Sequence, residues 1–90
     1  MLEKTIEKYF VKRVEALGGI TYKFRSITNA GVADRIACLP DGTTWFIEIK
    51  TIGGKVSALQ AVHARELQRV KHNYACLWSK EDVDNWVDTL

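Results

Sequence analysis

ADRIACLPDGTTWFIEIKT, residues 33–51, is the stretch on which the fold turns. Two apolar runs, Ala33 to Leu39 and Thr44 to Thr51, flank Pro40-Asp41-Gly42. That triplet is a tight-turn signal, because proline presets one backbone angle and glycine accepts the strained one. The two runs are expected to pair as an antiparallel hairpin. Side chains alternate along a strand, so Trp45, Ile47 and Ile49 face one side and Phe46, Glu48 and Lys50 the other. The turn lies far from both Asp34 and Lys50, which therefore share the open end of the hairpin. With a matching register, Asp34 and Glu48 come close together.

Working outward, residues 2–17 place Leu2, Ile6, Tyr9, Phe10, Val14 and Leu17 on one helical stripe, with Lys4, Lys8, Lys12 and Glu15 on the other sides. Gly18-Gly19 ends this helix. A first strand from Ile20 to Arg25 follows, joined to the hairpin by the polar loop Ser26 to Gly31. Beyond the hairpin, Gly53-Gly54-Lys55 links to a second helix over about Ser57 to Lys71, with Leu59, His63, Leu67 and Val70 as its expected inner face. A strand from Tyr74 to Trp78 comes next. Ser79 and Asp82 then cap a last helix bearing Val83, Trp86, Val87 and Leu90. The order is αβββαβα, an α/β arrangement with a mixed central sheet flanked by helices and a right-handed crossover to the last strand.

Ninety residues, 47% hydrophobic and 27% charged, are expected to form a single domain spanning 1–90. Thirteen Lys and Arg against eleven Asp and Glu leave a net charge of +2. That balance excludes an acidic tail or polybasic arm but allows a local basic patch. No apolar run approaches the ~20 residues of a membrane span, and Glu3 and Glu7 interrupt the segment where a signal peptide would be apolar. A cytoplasmic protein with no membrane partner is expected. Cys38 and Cys76 lack the close ligand spacing of a zinc site and sit in apolar runs, where a free thiol behaves as a small hydrophobe.

The chemistry concentrates at the open end of the hairpin. Two carboxylates a few ångströms apart repel unless a cation lies between them. A hard divalent ion such as Mg²⁺ takes oxygen ligands and keeps several waters. Asp34, Glu48 and the backbone carbonyl of Ile49 offer three such oxygens. Lys50 alongside would orient an attacking water and face the charge that develops on a phosphoryl group. This is equipment for metal-assisted phosphodiester hydrolysis.

The ordered set Ile6-Glu7-Lys8-Tyr9-Phe10, Gly18-Gly19, Lys23-Phe24, Gly31-Val32-Ala33-Asp34-Arg35, Phe46-Ile47-Glu48-Ile49-Lys50 and Gly53 to Gln60 spans most of the chain. It resembles the PD-(D/E)xK nuclease superfamily, and within it the virus-type replication-repair nuclease (VRR-NUC) branch. Ala33 stands where that family commonly has proline, a position that donates no ligand. The resemblance implies a restriction-endonuclease-like fold and a catalytic core of Asp34, Glu48 and Lys50, completed by Glu7 and Gln60. It implies Mg²⁺, with Mn²⁺ as a substitute, held by Asp34, Glu48, the Ile49 carbonyl and Glu7 through water. The family pattern favours Glu7, whereas helical spacing alone leaves Glu3, one turn earlier, as its equal.

Plainer readings stand beside these. Glu48 and Lys50 also fit an ordinary surface ion pair, and Glu7 a helix partner of Lys4 or Lys8. Ser57-Ala-Leu-Gln60 fits a capping box, a role that Gln60 can combine with one in the site. His63 reads as a packed histidine and His72 as a partner of helix-terminal carbonyls. Lys23, Arg25, Arg35 and Lys55 fall near the expected metal end, where they would hold phosphates without reading sequence; Arg65 and Arg69 extend such a surface or form a solvated face. The expected activity is metal-dependent DNA endonuclease action on branched, junction-like DNA by a homodimer. The alternatives are a general or restriction-like duplex endonuclease and a non-cleaving nucleic-acid-binding module.

Overall fold

The computed structural model describes residues 2–23, 33–51 and 53–90. Its elements follow the expected order: α1 (Glu3–Ala16), β1 (Ile20–Lys23), β2 (Arg35–Cys38), β3 (Thr44–Ile49), α2 (Ala58–Arg69), β4 (Asn73–Leu77) and α3 (Lys80–Asp88). The strands align in the order β1-β2-β3-β4. The first two pairings are antiparallel, and β3 pairs with β4 in parallel, so the sheet is mixed. The polar loop Ser26 to Gly31, and Phe24 and Arg25 at the end of the first predicted strand, lie outside the described residues.

The hairpin forms where the Pro-Asp-Gly triplet places it. Leu39 N–H donates to the Thr43 carbonyl at 2.9 Å and Gly42 N–H to the Leu39 carbonyl at 3.0 Å. The Asp41 carboxylate accepts from both the backbone and the hydroxyl of Thr43. Helix α1 ends at Gly18, whose φ of +85° only glycine adopts without strain. Gly19 is needed for a different reason: a Cβ there would stand 2.9 Å from both the Cys38 carbonyl and Val14.

One face of the sheet carries the core. Ala37 and Leu39 from the second strand region, Ile47 and Ile49 of β3, and Leu77 of β4 pack against Ile6, Phe10 and Val14 of α1 and Val83 and Trp86 of α3. Trp86 anchors this layer, with Phe10 at 5.4 Å and Trp45 edge-on at 5.7 Å between ring centroids. The predicted helical stripes are shorter than drawn from sequence, since Leu2, Leu17 and Leu90 at the helix ends are exposed.

Helix α2 departs from expectation. Its supposed inner face stays largely open: Leu59 is 57% and Val70 47% exposed, and no residue of the helix is buried. The reason is placement, because α2 packs chiefly on β4 and leaves β1 and β2 uncovered on that side of the sheet. Both cysteines are free thiols. No helix among the described residues is long and apolar enough to cross a membrane.

Candidate active site

The β2–β3 register pairs Arg35 with Ile47. Continued by one residue it sets Asp34 opposite Glu48, so the two carboxylates share the face turned toward α2. Asp34 is held in place by the Ile49 backbone, whose N–H donates to Asp34 Oδ2 at 3.0 Å. Strand alternation then puts Lys50 on the same side as Glu48, with its Nζ 4.0 Å from Glu48 Oε1.

Glu48 is 1% exposed, the one buried charged residue among the described residues. Its Oε1 accepts a hydrogen bond from Gln60 Nε2. Gln60 is able to do this because the capping box holds its own helix end: Ser57 Oγ accepts from Gln60 N–H at 3.1 Å, and Gln60 Oε1 accepts from Ser57 N–H at 2.9 Å. The amide thus spends its oxygen on the cap and its nitrogen on the carboxylate. The capping box expected from sequence is present, and the same side chain also reaches Glu48.

Burial pushes the Glu48 carboxyl up to about 7, and the neighbouring charge of Asp34 adds to the rise. Lys50 and the Asp34 backbone amide pull the other way. Glu48 Oε2 is buried with no hydrogen-bond partner. A buried, unpaired acceptor facing a second carboxylate is costly as it stands. A hard divalent cation would relieve both penalties, since Asp34, Glu48 and the Ile49 carbonyl supply oxygen donors only. The residues present therefore fit such an ion. Among the described residues no third His, Cys, Asp or Glu joins these two carboxylates in a cluster.

The acidic residues of α1 have different surroundings. Glu7 accepts from Arg35 Nε at 2.7 Å, a half-buried pair on the core-facing side of the sheet. It is the charge of Glu3 that contributes to raising Glu48. Of the residues expected to meet phosphates, Arg35 is thus engaged with Glu7, and Lys23 stands opposite Arg35 at the open end. Lys55 is exposed in the link before α2, and Arg25 lies outside the described residues. On the outer side of α2, Arg69 pairs with Glu66 at 2.7 Å. His72 Nδ1 meets the Val70 carbonyl at 3.1 Å, the helix-end role expected for it.

Two neighbours of Glu48 were not foreseen from sequence. The parallel register sets Cys76 opposite Glu48 and Tyr74 opposite Phe46. Burial pushes the Cys76 thiol up to about 11, with the Glu48 charge adding to it. The Tyr74 hydroxyl is raised for the same two reasons, together with the charge of the thiol beside it. A parallel pairing across a helical crossover leaves no local turn signal from which this register could be read.

No protein-family model matches the chain. It is 38% identical over 79 residues to "Putative nuclease p44" of Acyrthosiphon pisum secondary endosymbiont phage 1, covering 88% of this chain and 85% of that protein. Among solved structures it superposes on a VRR_NUC domain with a TM-score of 0.90 and 29% identity, over 96% of this chain and 94% of the other. A mixed four-stranded sheet between helices, with paired carboxylates and a lysine at the open end, together with these likenesses defines a nuclease of restriction-endonuclease-like fold. The chain belongs to the VRR-NUC nuclease family.

Proposed function

We propose that this nuclease hydrolyses DNA phosphodiester bonds with Mg²⁺, or Mn²⁺ in its place, at the open end of the β2–β3 hairpin. The observation that carries the reading is the buried Glu48 carboxylate, with one oxygen unpartnered, set opposite Asp34 and 4.0 Å from Lys50 Nζ. Nothing in folding alone calls for such a group, because an aliphatic side chain there would avoid its desolvation cost.

Asp34, Glu48 and the Ile49 carbonyl would hold the cation, which supplies Lewis acidity at the phosphoryl oxygen and an acidified water. The remaining work belongs to the chain. The Ile49 N–H bond fixes the orientation of Asp34. Gln60 fixes Glu48 through Oε1 and leaves Oε2 for the ion. Lys50 faces the phosphate, orients the water and offsets the negative charge that grows during in-line attack. Glu7 acts at one remove, positioning Arg35 and the start of β2 next to Asp34.

The expected substrate is branched DNA in the host-cell cytoplasm, cut by a homodimer within a single domain per chain. A second copy is supported by the uncovered side of the sheet. Ile20 and Tyr22 of β1, 56% and 59% exposed, and Leu59 of α2 flank a face that α2 leaves open. Two-fold pairing through that face would bury them and relate two sites symmetrically, as a junction's paired strands require.

Asp34→Asn, Glu48→Gln and Lys50→Ala should each abolish cleavage while the circular dichroism spectrum stays that of a folded protein. A panel of labelled fork, flap, four-way junction and linear duplex DNAs, with Mg²⁺ and with chelator, tests substrate and metal together. Near-native turnover by any of the three variants would overturn the assignment. Light scattering tests the dimer, and a monomer active at all dilutions would remove it.

A further inference from the structure

Lys4, Lys8 and Lys12 recur every four residues of α1 and are all exposed. Residues four apart stand above one another on a helix, so the three form a row that climbs about 6 Å per step. Facing the row are Lys23 of β1 and Arg35 of β2, which are register partners. The five cations line an open groove of about 480 Å³, with Val11 as an apolar part of its wall.

Two carboxylates also reach this groove, Glu7 and Glu15. Glu7 is neutralised by Arg35 at 2.7 Å. Four lysines then remain against Glu15, a surplus of three positive charges in a chain whose whole net charge is +2. Among the described residues the ion pairs are Arg13–Asp84, Arg35–Glu7, Lys50–Glu48 and Arg69–Glu66, and none engages a lysine of this groove.

A row of solvated lysines is the ordinary alternative, but it accounts poorly for the arrangement. Like charges four apart cost a helix roughly 0.2–0.5 kcal/mol per pair. Here that spacing is repeated, lies in a concavity, and is met by further cations on the opposite wall. Arg35 and Lys23 bring the groove to the open end of the sheet, the end that carries Asp34, although Arg35 faces the opposite side from that carboxylate. Lys4 to Lys12 spans about 12 Å along the axis. One strand of B-form DNA presents about three phosphates over that length.

We propose that the lysine row of α1 is a phosphate track: Lys4, Lys8 and Lys12, with Lys23 opposite, hold successive phosphates of one DNA strand and lead it from the open end of the sheet along the helix. The track rests on the nuclease reading for its ligand, yet its binding is measurable without cleavage. Its contacts are to the backbone, so it confers affinity and direction without base preference.

The test is the salt dependence of binding to a labelled DNA duplex in chelator, where no hydrolysis interferes. The triple variant Lys4→Gln/Lys8→Gln/Lys12→Gln keeps the long stems and good helix formers. Each lost phosphate contact should reduce the slope of log K against log salt by about 0.9, so the triple variant loses roughly 2 to 3. Lys71→Gln removes an exposed charge outside the groove and should leave the slope near that of the unaltered protein. With Mg²⁺, the row variant should raise KM and retain kcat. An unchanged slope in the row variant, or an equal loss per charge removed in Lys71→Gln, overturns the track. If the unaltered protein cleaves no DNA while the row variant alone loses slope, the track stands and the nuclease assignment falls.

Discussion

Replacing Glu48 by glutamine should stabilise the metal-free protein, and increasingly so as the pH rises. Glu48 is buried, has one oxygen unsatisfied, and carries a carboxyl pushed from an ordinary 4.5 to about 7 by burial and then by Asp34. Between those two values the folded state binds a proton that the unfolded state has already released. Stability from this group is therefore fully present below about pH 4.5 and is lost as the pH rises through about 7. The span corresponds to about 3 kcal/mol as an upper figure. Glutamine keeps the acceptor for Gln60 and never ionises, so its variant escapes the loss. In chelator, the melting temperatures of the two proteins should lie close together at about pH 5 and separate by on the order of 10 °C at about pH 8. Added Mg²⁺ should raise the melting temperature of the unaltered protein at the higher pH and leave the variant unmoved. Other titrating groups cancel in the difference between the two proteins. A gap that stays constant across this range would refute the account of Glu48 as a carboxylate strained by burial.

Gln60 serves both the cap and the site. Gln60→Ala removes the acceptor of Ser57 N–H and should cost about 1 kcal/mol in a thermal melt. Gln60→Glu retains the cap but replaces the donor to Glu48 with a further carboxylate, so it should both melt lower than the unaltered protein and cleave far more slowly. In the core, Phe10→Ala should cost about 3–5 kcal/mol by chemical denaturation, enough to leave a marginal fold, because Phe10 is fully buried against Trp86. Gly19→Ala should cost roughly 1–3 kcal/mol, since the added methyl meets the Cys38 carbonyl and Val14 at 2.9 Å; an unchanged melt would show that this corner has room to spare.

What was legible in the sequence is what short-range chemistry decides. Pro40-Asp41-Gly42 sets a hairpin whose register brings Asp34 opposite Glu48, and strand alternation puts Lys50 beside Glu48. Ser57 and Gln60 declare a helix start three residues apart, and Ser79 with Asp82 another. These depend on backbone angles and on partners close along the chain. The tertiary structure alone decided the rest. The burial of Glu48 depends on α2 and β4 closing over it, the pairing of Glu7 on where α1 meets Arg35, and the open face of α2 on its packing over one strand rather than several. Each joins residues distant in the chain, through packing of whole elements, and periodicity says which side of a helix is apolar without saying what covers it.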